Sequence, residues 1–63
     1  MSVSDQDILR QANLWLNRHG DGAVVEARKV VGGFQDAGDR DSADVWLRIL
    51  LAVETMRSAA YAA

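Results

Sequence analysis

The amino-acid sequence predicts an all-α fold, a compact three-helix domain with short connections. Three observations carry that expectation. Apolar residues recur at spacings of three and four rather than in alternation. Proline is absent, so glycine supplies the punctuation, at Gly20/Gly22, Gly32/Gly33 and Gly38. The first and last of these places coincide with polar or acidic residues that cap helices well. A chain of 63 residues has room for one domain, expected over 1–63 with helices at about 5–19, 22–37 and 42–58.

The first helix is expected to start at Ser4, whose hydroxyl suits the amide of Asp7. Asp7 reaching back would make a weaker form of the capping box, and Val3 with Ile8 has the spacing of a hydrophobic staple. Gly20 suits the positive-φ position after the last turn. At about 100° per residue, Ile8, Leu9, Ala12, Trp15 and Leu16 share one arc and Leu14 falls outside it.

The second helix is expected from near Asp21 to Gly38. Ala23, Val24, Ala27, Val30, Val31, Phe34 and Ala37 share one face, with Glu26, Arg28, Lys29 and Asp36 off it. Its β-branched valines weaken helix propensity. The run Glu26-Ala27-Arg28-Lys29 nevertheless breaks the alternation a strand needs. Gly32 and Gly33 each cost about 1 kcal/mol relative to alanine inside a helix. They are expected to end the helix early, kink it, or admit another backbone closely.

For the third helix, Asp41 is expected as the N-cap, with Asp44 in the first turn, both favoured by the helix dipole. Val45, Trp46, Ile49, Leu50, Val53, Met56 and Ala60 form a wide apolar face. Asp44 and Arg48 stand four apart in the favourable order. The tail from Ser58 to Ala63 is expected to fray. Trp15, Phe34, Trp46 and Ile49 are the expected core.

Composition narrows the function classes. Seven Lys/Arg against nine Asp/Glu give a net charge of −2, which supplies no electrostatic reason for a nucleic-acid or anionic-membrane partner. With no cysteine and one histidine, disulfides, thiolate metal sites and multi-histidine sites are ruled out. Met1 to Asp7 carries two acids and no basic residue, unlike the start of a signal peptide. The longest apolar run, Ile49 to Val53, is far short of the ~20 residues of a membrane span. These features set the expectation of a cytoplasmic protein.

Few residues offer chemistry. His19 could be a lone general base, but no serine, cysteine or second base has a spacing that suggests a triad, and a histidine at a helix C-terminus is favoured by the dipole alone. Asp36, Asp39, Asp41 and Asp44 form an acidic turn. Counted from Asp39 as a calcium loop, it fails at Ala43 and at the closing Leu50, so helix capping accounts for it. A helix-turn-helix would present Asp39, Asp41 and Asp44 to phosphates, and the seven basic residues form no stripe. Gly20-Asp21-Gly22 lacks the longer glycine pattern and the lysine of a phosphate loop. No catalytic, cofactor or metal residue is expected, and no enzyme activity.

What remains is surface. Leu47 and Leu51 are one turn apart and lie off the main apolar face of the third helix, and Leu14 is similarly stranded on the first. A domain this small has a marginal core and no covalent staple, for which self-association is a common remedy. Leu14, Leu47 and Leu51 are therefore the candidate interface, against the reading that the third helix is simply buried on two sides.

Ala12, Leu14, His19-Gly20, Ala23, Ala27-Arg28, Ala37-Gly38-Asp39, Trp46-Leu47-Arg48-Ile49-Leu50 and Ala52-Val53-Glu54 follow one pattern. In it the chain resembles a family of short uncharacterised alphaproteobacterial helical proteins, over roughly Ile8 to Met56. Its most specific part is the A-G-D turn followed by W-x-R-I-L-x-A-V-E. Ser42 replaces the family's glycine before the tryptophan, and Leu51 replaces a charged residue. The resemblance implies a bacterial cytoplasmic setting and no mechanism.

The functional expectation is thus a small non-enzymatic protein–protein interaction module, a homodimer, with no cofactor and no small-molecule substrate. The alternatives are a monomeric regulator docking on a larger protein and, ranked below it, a nucleic-acid-binding module. The Ala62-Ala63 ending also has the small apolar character of a bacterial degradation signal, though alanine is equally at home in a helix.

Overall fold

Ser4 starts the first helix as its side chain predicts. The computed structural model describes the backbone of residues 4–62 and the side chains of residues 4–59. Helix α1 runs Asp5–His19, and the Ser4 hydroxyl accepts from the Asp7 amide at 3.2 Å. Val3, half of the expected staple, lies outside the described residues, as do Ala63 and the side chains of Ala60 and Ala62. At the other end Gly20 adopts φ 54° and its amide donates to the Leu16 carbonyl. A side chain would be strained there, which is why glycine occupies the position.

Gly20 itself leaves helical geometry, but no extended linker follows it. A single 3₁₀ turn, Gly20–Gly22, passes directly into α2, Ala23–Asp36, so α2 begins two residues later than Asp21. Counted by unbroken helical residues the described chain has two stretches, 5–36 and 40–62; counted by α-helical segments it has three. The fold is all-α, and no strand occurs among the described residues.

Gly32 and Gly33 do not end α2 early, since the helix runs on to Asp36. They lie inside the helix, and beyond the helix's own neighbouring backbone no atom comes within 4 Å of where a Cβ would sit, so no close approach of another backbone requires them either. The helix ends instead in a Schellman arrangement. Gly38 (φ 76°) donates to the Gln35 carbonyl at 3.0 Å, and the Asp39 amide donates to the Phe34 carbonyl at 2.9 Å.

Asp39 then starts the next helix. Its carboxylate accepts from the Ser42 amide at 3.2 Å and its carbonyl accepts from the Ala43 amide at 3.1 Å. Helix α3 is therefore Arg40–Ala62, and Asp39 rather than Asp41 is its N-cap. Asp41 sits in the first turn. The backbone is helical through Ala62.

Helix α3 packs extensively on both α1 and α2, which touch each other little. The core is built from small and medium side chains: Ile8, Ala12, Ala23, Ala27, Val31, Ala43, Ile49, Leu50 and Val53. Of the expected core, only Ile49 is buried; Trp15, Phe34 and Trp46 are half-buried. The fully buried positions facing the core are taken by the small residues Ala12, Ala23 and Ala27, and the indoles pack against its edge. The tryptophans close the rim instead. Leu9 and Ala37, expected on apolar faces, are exposed.

Candidate functional site

The two indoles organise one end of the molecule. Trp15 lies on α1 and Trp46 on α3, and their rings meet edge-to-face with centroids 4.9 Å apart. The Trp15 Nε1–H donates to the Ala23 carbonyl at 2.9 Å, which fixes the ring against the first turn of α2. His19, one turn further along α1, tilts over Trp15 with centroids 4.0 Å apart. Such a pair contributes about 0.5–1.5 kcal/mol beyond the area it buries.

Beside this cluster an open groove of about 630 Å³ runs along α1, lined by Gln11, Leu14, Trp15, Asn17, Arg18 and Trp46. Gln11, Leu14, Trp15 and Arg18 stand at i, i+3, i+4 and i+7, so they form one helical face. Its floor is apolar and Arg18 is the one charged residue lining it. Leu14 is 56% exposed. Sequence reasoning isolated Leu14 but missed the groove, because its far wall, Trp46, comes from another helix and depends on how the two helices cross.

Leu47 and Leu51 are placed elsewhere. They point outward from α3 at 38% and 60% exposure and line no part of the groove. Helix α3 is indeed central, packed on both α1 and α2, and yet these two leucines stay exposed. The three candidate interface leucines form two patches, one on each of two helices, rather than one.

The acidic turn is accounted for by capping. Asp36, Asp39, Asp41 and Asp44 are all exposed. The hydrogen bonds that Asp39 accepts from Ser42 hold its carboxyl below the ordinary value of 3.8. No group of three or more His, Asp or Glu placed to hold a metal ion occurs among the described residues. Arg48 reaches across to Asp5 of α1 at 2.8 Å, and Arg28 of α2 lies 3.6 Å from Glu54 of α3. These exposed pairs tie both outer helices to α3 but contribute little stability. Among the described residues no helix is long and apolar enough to cross a membrane.

No family model, curated protein or solved structure matches this chain. The functional reading therefore rests on the chain's own surface.

Proposed function

We propose that this protein is a small, non-enzymatic interaction module that self-associates through its exposed leucines. The observation that carries the reading is Leu47 and Leu51, one helical turn apart, with more than a third of each side chain in water. A single exposed leucine is ordinary; an outward pair on the most extensively packed helix is the start of an interface. A cytoplasmic bacterial setting is part of the proposal and rests on the family resemblance.

Sedimentation equilibrium tests the reading. At about 100 μM, a contact worth only 5–6 kcal/mol is half-formed. The wild type should exceed 6.9 kDa there. The double variant Leu47→Glu, Leu51→Lys should remain helical and monomeric, because charges tolerated in water are costly to desolvate. A monomeric wild type would sink self-association and leave the monomeric regulator. A double variant that unfolds would return the leucines to the core.

A further inference from the structure

We infer that the outward face of α3 in one copy seats in the tryptophan-walled groove of another, with Asp44 meeting Arg18. The inference rests on the self-association proposed above and names what each leucine pair packs against. Asp44, Leu47 and Leu51 stand at i, i+3 and i+7 on α3 and share an arc about 60° wide. All three are exposed. The arc is an amphipathic docking face, with a carboxylate at one end and two leucines following it. The groove is its complement: an apolar floor of Leu14, Trp15 and Trp46, with one guanidinium at its end.

Length and charge fix the register. The face from Asp44 to Leu51 covers seven residues of rise, about 10.5 Å, and the groove from Gln11 to Arg18 covers the same. The acid lies at the N-terminal end of the face and the base at the C-terminal end of the groove. The incoming α3 therefore runs antiparallel to the receiving α1, placing the leucines over the apolar floor. Neither Asp44 nor Arg18 forms an ion pair within the chain among the described residues. Both are free to pair between copies, where apolar neighbours exclude water and a charge pair gains strength. Helix-in-groove packing with anchors one turn apart is a recurring mode of recognition.

Charge exchange tests the seating. Dissociation constants from sedimentation are compared for the wild type, Arg18→Glu, Asp44→Arg and the variant carrying both. Each single change should weaken association about tenfold or more, and the exchanged pair should return to within about threefold of wild type. Circular dichroism of the variants should match the wild type, since both positions are exposed. Tryptophan fluorescence gives an independent readout, because the chain's two tryptophans both line the groove. Their emission should move to shorter wavelength as wild-type concentration rises, and should not for Arg18→Glu. If both single variants associate like wild type while Leu47→Glu, Leu51→Lys is monomeric, the leucines pair with each other and the seating is wrong, though self-association stands. If association proceeds with the tryptophan emission unchanged, the groove stays open for another occupant and the inference fails. A wild type that is monomeric throughout overturns both.

Discussion

Val53 and Leu51 lie two positions apart on α3 and have opposite surroundings. Val53 is fully buried and is the largest such side chain among the described residues; Leu51 is 60% exposed. Val53→Ala should cost about 2 kcal/mol through lost burial and a residual cavity. Leu51→Ala, measured at a dilution where the chain is monomeric, should stay within about 0.5 kcal/mol of wild type. Urea unfolding followed by circular dichroism separates the two, and equal losses would place Leu51 in the core. A second residue-scale prediction concerns Asp39, whose carboxyl is held below its ordinary value. A depressed folded-state value means the cap stabilises above the unfolded value and is lost as pH falls through the lowered one. Serine caps equally well and does not titrate near there. The difference in melting temperature between wild type and Asp39→Ser should therefore change between pH 7 and pH 3, moving in favour of the serine variant in acid. The same difference at both pH values would mean that Asp39 is not ionised in its capping role.

The glycines separate into two kinds once the elements are known. Gly20 and Gly38 have positive φ and end helices; Gly32 and Gly33 sit in helical backbone with open space around them. Gly33→Ala should accordingly stabilise α2 by about 0.5–1 kcal/mol, through helix propensity and a less flexible unfolded chain. Gly38→Ala should destabilise by about 1–2 kcal/mol, the strain of a left-handed residue with a Cβ. Thermal melts of the two variants should move in opposite directions. Helix type and the Ser4 start were legible because periodicity and capping are local. The start of α3 was not. Asp39-x-x-Ser42 and Asp41-x-x-Asp44 are equally good capping patterns, and the choice depends on how tightly α2 closes at Gly38.

At the scale of the whole molecule, interior spacing decided what periodicity left open. An angular reading puts Trp15 and Trp46 on the core side of their helices, which is correct in direction. It does not show that the small residues Ala12, Ala23 and Ala27 take the fully buried positions and leave the indoles at the rim. The groove was illegible for that reason, whereas Leu47 and Leu51 stood out because they lie off the apolar arc. If the chain associates as proposed, its melting temperature depends on concentration, because association favours only the folded state. A hundredfold increase in wild-type concentration should raise it by several degrees, on the scale of about 4–8 °C per kcal/mol for a domain this small. Leu47→Glu, Leu51→Lys should melt at one temperature throughout. A concentration-independent wild type would argue against a folded assembly.

The corner at Asp39 also has a consequence in time. One residue completes the end of α2 through its amide and begins α3 through its carboxylate, and only Ala37, Gly38 and Asp39 separate the two helices. Closing so short a loop costs little chain entropy. Although the turn between α1 and α2 is equally short, those two helices touch each other little, so the α2–α3 contacts form first. The α2–α3 pair is therefore the expected nucleus, with α1 docking onto it afterwards. Ala27→Gly on α2 should mainly slow folding, whereas Ile8→Val on α1 should mainly speed unfolding. Stopped-flow kinetics would give a high φ value at Ala27 and a low one at Ile8, and equal values would mean that all the helices assemble in a single step.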